Sequence, residues 1–439
     1  MLQEFINKSK NRIDLVYGKI FDTEYIFLKN GILQELWVRD FLPNILNNDL
    51  TNFSPGIMQE AYNLTHTDFE RLLSNGVVLL IKNHIPYIIH LTFIPKRNPT
   101  DSIADPSNLF GSRDGFNEII ADNRILIKRR IKSNNLQFDE IIIGDSSQTE
   151  VNIVYLKNKK TSNIVNKIKS TLLLNKHKNI ISAFDINKIL TNNNMIPTLQ
   201  FTGSPETCCN ALLKNRIVIL IDNTPISILI PASLLEMTEN TNEINSFKVT
   251  NIINRLLIIL FLFTTIFSIG LFIVLTSHHP EALSTLFISN FQISERGTIL
   301  PLVFEIIVIL ILFEFYRQMV SRSPLSFVQN IIIIFGGIFI GQNAVEANII
   351  GTTSIIVTSL SYVTSFAVTN NSYLITTFSI FRIFILLFSF TLGLVGFIIS
   401  SVLVINFLAN INIFNQYYLE PIIPFNLSNL KEWFIPRKD

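Results

Sequence analysis

The chain has 439 residues, of which 48% are hydrophobic and only 15% are charged, with 35 Lys and Arg against 33 Asp and Glu. A typical soluble protein carries about 25% charged residues, so this composition argues against a uniformly soluble protein. The net charge of +2 gives no reason to expect a nucleic-acid partner. The two cysteines, Cys208 and Cys209, are adjacent and cannot form a disulfide framework.

The charge deficit is confined to the C-terminal part of the chain. Residues 1–255 contain 28 Lys and Arg and 25 Asp and Glu, about 21% of that segment, whereas residues 256–439 are about 8% charged. We therefore predict a soluble α/β domain over 1–255, a transmembrane helical domain over 256–409 and a polar C-terminal tail over 410–439.

Apolar runs flanked by turn residues predict mixed α/β structure in the N-terminal domain. A helical pattern over 161–174 follows the second of three predicted hairpins, with Thr161 as its N-cap. The predicted strand pairs are 76–81 with 87–92, 140–143 with 150–156, and 216–221 with 225–230.

Two segments of this domain resemble each other. LLSNGVVLLIKN (72–83) and LLKNRIVILIDN (212–223) are identical at 7 of 12 positions. One interpretation is a module of two similar subdomains with a ligand-binding cleft between them. The other is convergence, because helix–turn–strand sequences rich in Ile and Leu resemble one another by composition alone.

A basic run, Lys128-Arg129-Arg130-Ile131-Lys132, stands between the first two hairpins. Such a run can contact acidic lipid or nucleic acid. Its simpler interpretation is the polar side of a helix that packs inside the module.

The motifs that mark common active sites are missing from the sequence. The six histidines occur in no HExxH pattern and beside no cysteine pair, and there is no phosphate loop, GxGxxG or GxSxG motif. We therefore predict no enzymatic activity, no cofactor and no metal site.

The C-terminal region contains five apolar segments long enough to be considered as membrane spans. The second contains Glu305 and Glu314, and the fourth is rich in Ser and Thr, so one of them could be re-entrant, giving four crossings rather than five. Basic residues around the first two segments favour a cytoplasmic N-terminal domain. The predicted spans are 256–276, 299–316, 327–349, 352–369 and 383–408.

Ionisable residues inside membrane spans are costly and commonly face a bundle interior or a water-filled path. Gln342 and Glu346 are four residues apart and share a helix face. Two interpretations stay open for them, an ion-conducting path or polar contacts between subunits. Glu314 lies three residues before Arg317 and pairs with it in the simpler interpretation. The candidate intramembrane polar residues are Glu305, Glu314, Gln342 and Glu346, and the candidate helix-packing residues are Gly337 and Gly341.

Several motifs in this order resemble the GerA-type A-subunit family of bacterial spore germination receptors, over about residues 20–426. The blocks Phe313-Glu314-Phe315-Tyr316-Arg317 and Gly341-Gln342-Asn343-Ala344-Val345-Glu346-Ala347 are the most specific of these motifs. Further residues that match the family's motifs are Gly115, Phe116, Glu118, Asn123, Arg129, Arg130, Arg317, Arg322 and Pro324.

The resemblance implies a multi-pass subunit of a nutrient-sensing complex in the spore inner membrane, with its N-terminal domain on the spore-core side. It further implies a homo-oligomer around a cation-releasing pore, in contact with membrane lipid, a transporter-like B subunit and a lipoprotein C subunit. The alternatives are a secondary transporter with a cytoplasmic regulatory domain and a membrane-anchored scaffold.

Overall fold

The computed structural model divides the chain into two compact units. The first comprises Met1–Asn194, Thr198–Ala232 and Ile413–Asn415, and the second comprises Met195–Pro197, Ser233–Asn412 and Gln416–Asp439. The structure describes residues 4–6, 12, 14–29, 31–46, 58–60, 69, 72–73, 76–82, 85–91, 98–99, 114–191, 196–239, 247–295, 297–322, 342, 344–369, 371–414 and 416–434.

The first unit contains a five-stranded antiparallel sheet with strand order β1-β2-β4-β5-β3. A helical segment, α1, consists of Gln34–Leu36, the π-turn Trp37–Phe41 and Leu42–Leu46. It packs Trp37 and Phe41 on one face of the sheet, beside Val78 and Leu80. The strands are β1 (Leu15–Ile20), β2 (Thr23–Leu28), β3 (Met58–Glu60), β4 (Val77–Lys82) and β5 (Ile85–His90).

A second antiparallel sheet of this unit has the order β10-β12-β11-β9-β8. The short strands β6 and β7 pair with each other in a separate two-stranded sheet. The strands are β6 (Asn98–Pro99), β7 (Asp114–Gly115), β8 (Leu136–Ile143), β9 (Thr149–Leu156), β10 (Gln200–Thr202), β11 (Ile217–Ile221) and β12 (Ser227–Ile230). The helices are α2 (Ile120–Arg130), α3 (Lys159–Leu174), α4 (Ala183–Thr191) and α5 (Pro205–Leu213).

Helices cover both faces of this second sheet. Side chains alternate between the faces of a strand, and β11 follows this rule along its whole length. Ile217, Ile219 and Ile221 join the core formed with α3 and α4. Val218 and Leu220 join the core formed with α2 and α5. The result is a three-layer α/β/α arrangement, as the sequence predicted for the fold class of this region.

The three predicted hairpins form antiparallel pairs, with Val77 opposite His90, Leu136 opposite Leu156 and Ile217 opposite Ile230. The first strand of the second hairpin begins earlier than predicted, at Leu136. The two similar segments, 72–83 and 212–223, each contribute a strand inside a different sheet, β4 in the first and β11 in the second.

The predicted N-cap of the helix over 161–174 is wrong. The helix begins at Lys159, and Asn158 is its N-cap. Thr161 instead completes a capping box, because its backbone N–H donates to Asn158 Oδ1 at 2.7 Å while its hydroxyl accepts from Asn158 N at 3.1 Å. The polar stretch before the apolar periodicity belongs to the helix, which periodicity alone does not reveal.

The second unit is helical, and its longest segment begins at Ser233, before the composition boundary at Arg255. Two of its helices, counted as Lys248–His278 and Ser372–Asn410, are long and apolar enough to cross a membrane. Its elements are α6 (Leu234–Met237), α7 (Lys248–Ile273, followed by the π-turn Val274–His278), α8 (Thr285–Glu295), α9 (Leu302–Arg322), α10 (Thr352–Val368), α11 (Ser372–Asn410), the strand pair β13 (Asn412–Ile413) and β14 (Gln416–Tyr417), and α12 (Leu427–Phe434).

Helix α11 reverses direction at Gly393, which has a positive φ of 61° and non-helical ψ of −138°. The rings of Phe381 and Phe407 are 6.3 Å apart, although 26 residues of straight helix would extend about 39 Å. The reversal requires glycine because an L side chain is strained at this φ. The predicted single span over 383–408 is therefore wrong, since it joins parts of two antiparallel arms.

Contacts inside the second unit define two ends, a near end where α7 begins and a far end where α7 finishes. At the near end, Asn251 of α7 donates to the carbonyl of Phe434 at 3.3 Å, so α12 lies beside the start of α7. Thr369, which follows α10, donates to the carbonyl of Met237 at 3.3 Å. At the far end, Gly393 lies against the ring of His278.

Candidate functional site in the helical unit

A fully buried arginine joins three helices of the second unit. Arg382, in the first arm of α11, donates from Nε to the carbonyl of Thr265 in α7 at 2.7 Å. Its Nη2 donates to the carbonyl of Ser361 at 2.8 Å and to the hydroxyl of Ser365 at 2.9 Å, both in α10. Among the described residues, no carboxylate forms an ion pair with this guanidinium, so backbone and hydroxyl oxygens hold the charge.

The hydroxyl-rich sequence of α10 explains how three helices approach this arginine. The hydroxyls of Thr265 and Thr364 are 3.0 Å apart, and Ser361 Oγ donates to the carbonyl of Thr265 at 3.0 Å. Small hydroxylated residues allow close helix packing and supply polar contacts between helices. The Ser and Thr content that made the fourth predicted span look weak therefore belongs to a buried interface.

Sequence reasoning missed Arg382, although a signal for it was present. This arginine is the single charge between two long segments, 347–381 and 383–419, that contain none. An isolated charge in such a setting indicates a functional position in a membrane helix. We use the name Arg382 cluster for Arg382 with Thr265, Ser361 and Ser365.

The ion pair expected between Glu314 and Arg317 is present in α9. Arg317 donates to both carboxylate oxygens of Glu314, with Nε 3.2 Å from Oε2. The same guanidinium donates to the hydroxyl of Thr376 at 2.9 Å, which links α9 to the start of α11. The Tyr362 hydroxyl donates to the carbonyl of Phe313 at 3.1 Å, and the centre of its ring lies 5.5 Å from Arg382 Cζ. Tyr362 therefore lies between the Glu314–Arg317 pair and the Arg382 cluster.

Glu305 occupies a different position from Glu314, at the far end of the unit. It is fully buried, and its Oε2 accepts from the backbone N–H of Gly351 at 3.1 Å. The two glutamates therefore belong to separate polar groups, and their separation of nine residues places them on opposite faces of α9.

The other predicted intramembrane residues belong neither to the polar group around Arg382 and Glu314 nor to the one around Glu305. Gln342 and Glu346 are exposed in the isolated chain, and so is Arg322 at the end of α9. The helix-packing candidates Gly337 and Gly341, and Pro324, lie outside the described residues.

The family-motif residues of the first unit hold the start of α2. Phe116 is fully buried, and the Asn123 amide donates to the carbonyl of Asn117 at 2.7 Å and accepts from its N–H at 3.0 Å. Arg130 donates to both oxygens of Asp114 at 2.6 Å. These contacts, together with buried Lys128 facing Asp14 at 3.7 Å, show that Lys128 and Arg130 of the basic run bind acidic residues of the module, whereas Lys132 is exposed.

The remaining motif residues of the first unit differ in their surroundings. Gly115 belongs to β7, and Glu118 is exposed, while its carbonyl accepts from Asn223 N at 2.8 Å. Arg129 is half-buried, and its Nη1 has no hydrogen-bond partner among the described residues.

The described residues contain no cluster of three or more His, Cys, Asp or Glu side chains that could bind a metal. The adjacent thiols are buried in the core of the second sheet, and burial raises the pKa of Cys209 to about 12. A protonated thiol is a poor nucleophile, so these cysteines have the character of core residues.

Comparison with known proteins identifies relatives along nearly the whole chain. A family model described as "Bacillus/Clostridium GerA spore germination protein" matches residues 6–438. Spore germination protein XA of Bacillus anthracis is 29% identical over 364 residues, which cover 82% of this chain and 73% of the relative. Spore germination protein B1 of Bacillus subtilis (strain 168) is 26% identical over 392 residues, covering 88% of this chain and 80% of the relative.

Among solved structures, the chain matches the N-terminal domain of the A subunit of the Bacillus megaterium spore germinant receptor GerK3. The match has 20% sequence identity and a TM-score of 0.34, and it covers 52% of this chain and 92% of that one.

Proposed function

The chain belongs to the Bacillus/Clostridium GerA family of spore germination proteins, and we propose that it is a germinant-receptor A subunit whose helical unit forms or gates an ion-conducting path. Its relatives named spore germination proteins support the receptor role. The ion path rests on this chain's own helical unit.

The observation that carries the proposal is the burial of Arg382 without a carboxylate partner among the described residues. Removing a cation from water costs several kcal/mol, even after relaxation of its surroundings. Such groups in membrane helices commonly mark ion pathways or moving elements. Three carbonyl and hydroxyl acceptors on α7 and α10 hold this cation, so a shift of the first arm of α11 breaks all three bonds together.

A receptor needs two states that the nutrient distinguishes. A ligand shifts such an equilibrium only by its difference in affinity for the two states. In this proposal, nutrient binding to the receptor complex favours a state in which the Arg382 cluster opens and ions pass. The complex would include the B and C subunits and further copies of this chain.

We propose that the helical unit lies in the membrane and that its described helices cross it. Helices α7, α9 and α10 and both arms of α11 each run between the near and far ends. Arg322 ends α9 at the near end, and Gln342 precedes α10 at the far end. Because α12 lies beside the start of α7, we propose that α12 and the start of α7 are on the same side of the membrane.

Labelling of single introduced cysteines tests this topology. Val249 at the near end, Leu286 at the far end and Leu427 in α12 are all exposed. We expect a membrane-impermeant maleimide to label Val249→Cys and Leu427→Cys from one side and Leu286→Cys from the other. The natural cysteines are buried and serve as the unlabelled background. Labelling of Leu427→Cys together with Leu286→Cys would require an odd number of crossings.

The ion-path role is tested in spores that carry Glu346→Ala. Because Glu346 is exposed in the isolated chain, it is available to face a neighbouring subunit or a path. We expect altered cation release after nutrient addition, at normal protein levels and with the complex assembled. Glu281→Ala, which removes an exposed carboxylate from the segment after α7, is the matched control and should leave release unchanged.

Unchanged release in Glu346→Ala spores would remove this residue from the path. Replacement of 256–409 by unrelated spans separates the scaffold alternative from the receptor channel. A normal nutrient response after that replacement would support a scaffold and contradict the ion path.

A further inference from the structure

Two carboxylates meet at one glycine at the far end of the helical unit. Glu305 Oε2 accepts from the N–H of Gly351 at 3.1 Å. On the other side, the carboxylate of Glu295 lies against the Cα of Gly351 so closely that a Cβ there would be 2.9 Å from Glu295 Cδ. Three elements supply these groups, namely the end of α8, the first turn of α9 and the residue before α10.

The negative charge at this place is not compensated by the described protein groups. Glu305 is fully buried, and its Oε1 has no hydrogen-bond partner among the described residues. Neither Glu295 nor Glu305 forms an ion pair with a Lys or Arg in the described part of the chain. A buried carboxylate oxygen without a donor is costly, so this oxygen requires a proton or a cation.

The uncompensated negative charge also affects the ionisation of Glu295. Burial raises the pKa of this carboxyl, and the nearby charge of Glu305 raises it further. One hydrogen bond opposes the change, because Ser354 Oγ donates to Glu295 Oε1 at 3.2 Å. Both carboxylates contact Gly351, and they are close enough to repel each other.

The groups around the two carboxylates offer oxygen atoms. Besides the hydroxyl of Ser354, the hydroxyls of Ser294 and Thr352 lie 2.6 Å from each other next to the pair in sequence. Carboxylate and hydroxyl oxygens favour hard cations such as Ca²⁺ and Mg²⁺ over zinc or copper. Two carboxylates carry the charge that one divalent cation neutralises.

We propose that Glu295 and Glu305, with the hydroxyl of Ser354, form a divalent-cation site that accepts Ca²⁺. Ca²⁺ takes irregular sets of six to eight oxygen ligands, which suits a site that joins three chain segments and is completed by water. Mg²⁺ demands near-ideal octahedral geometry, so it should bind more weakly here. A bound ion would tie the far ends of α8, α9 and α10 together.

Calcium binding to the purified full-length chain tests the site, in detergent after treatment with a chelator. We expect one high-affinity Ca²⁺ per chain by isothermal titration, a rise of the unfolding temperature with Ca²⁺, and at least tenfold weaker binding of Mg²⁺. Glu305→Gln keeps the shape and the acceptor for Gly351 N–H, and it should weaken Ca²⁺ binding at least tenfold. Glu281→Gln, an exposed carboxylate after α7, should bind as the unmodified chain does.

Three results would overturn the site: no Ca²⁺ binding by the unmodified chain, equal binding by Glu305→Gln, or equal loss in Glu281→Gln. A shared proton in place of an ion would give no response to Ca²⁺. If Glu305→Gln does not fold, Glu295→Gln replaces it, because that side chain is only partly buried. The assay involves no ion flux, so its outcome is independent of the ion-path proposal.

Discussion

One buried cation of the second unit, Arg382, is stabilised differently from Arg130 and Lys128 of the first unit. In the first unit, Arg130 is bound by both oxygens of Asp114, and Lys128 faces Asp14. In the second unit, Arg382 is bound by two backbone carbonyls and a hydroxyl. The first arrangement is an ordinary internal ion pair, whereas the second leaves a positive charge without a carboxylate among the described residues.

We propose that this difference separates structural charges from functional ones. A buried pair with good hydrogen bonds offsets most of its desolvation cost, and breaking it leaves an uncompensated charge. An unpaired cation contributes little to stability, so its presence calls for another explanation. Removing each kind of cation should therefore have opposite effects on stability and function.

The largest effect on stability is expected from Arg130→Met. Asp114 would stay buried and lose the two hydrogen bonds from Arg130, which costs about 3–5 kcal/mol. Hydrogen exchange of the full-length chain, followed in peptides from 114–143, should show faster exchange in β7, α2 and β8. Lys132→Met, at an exposed position of the same basic run, is the control and should exchange normally. Normal exchange in Arg130→Met would show that the Arg130–Asp114 pair does not stabilise the first unit.

A smaller effect of opposite sign is expected from Arg382→Met. The desolvation cost of the charge disappears, so the helical unit should become more stable by about 1–4 kcal/mol. The nutrient response of spores should nevertheless be lost, because the Arg382 cluster no longer joins α7, α10 and α11. Thermal unfolding of the purified chain and ion release from spores measure the two effects.

Arg382→Lys refines this test. Lysine keeps the charge but lacks the planar fork that reaches several acceptors at fixed angles. We expect a partial nutrient response, between those of the unmodified chain and Arg382→Met. Destabilisation of Arg382→Met with a normal response would show that the arginine is a structural residue like Arg130.

The smallest effect on stability is expected at Asp185. Like Arg382, this charged side chain is bound by backbone groups. Its Oδ2 accepts from the N–H groups of Ile181 at 3.2 Å and Ser182 at 3.0 Å, at the start of α4. Burial opposes ionisation, but these hydrogen bonds outweigh it and lower the pKa of Asp185. Asp185→Ala should cost about 1 kcal/mol, as for other helix caps.

The pH dependence of this contribution has a definite sign. A carboxyl with a lowered pKa stabilises the fold above its unfolded pKa, and the contribution is lost as pH falls through the folded pKa. Denaturant unfolding at several pH values should therefore show the difference between the unmodified chain and Asp185→Ala shrinking in acid. If this difference in the free energy of unfolding stays the same in acid, the ionised carboxylate of Asp185 does not stabilise the start of α4.

Local pattern was sufficient for much of the first unit. The three hairpins and the helix over 161–174 were visible because strand alternation and turn residues act over a few neighbours. The N-cap of that helix could not be identified in the same way, because Asn and Thr are both favoured at helix starts. Only the extended backbone conformation of Asn158 identifies it as the N-cap. The Glu314–Arg317 pair was predictable because residues three apart share a helix face.

Hydropathy failed at Gly393 and at Arg382 for a common reason. It averages over a window and records neither chain direction nor side-chain surroundings. A run of 26 apolar residues reads as one span whether it is straight or folded back on itself. One arginine barely changes such an average, although it organises the contacts of three helices.

The sequence by itself determined the division of the chain into a charged α/β part and an apolar helical part, because composition fixes which segments can leave water. It also determined the family, through motifs that are short and local. Tertiary structure alone decided where Arg382, Glu295 and Glu305 lie. Their environments are built by segments up to 117 residues away in the chain, and a buried charge takes its meaning from the atoms that surround it.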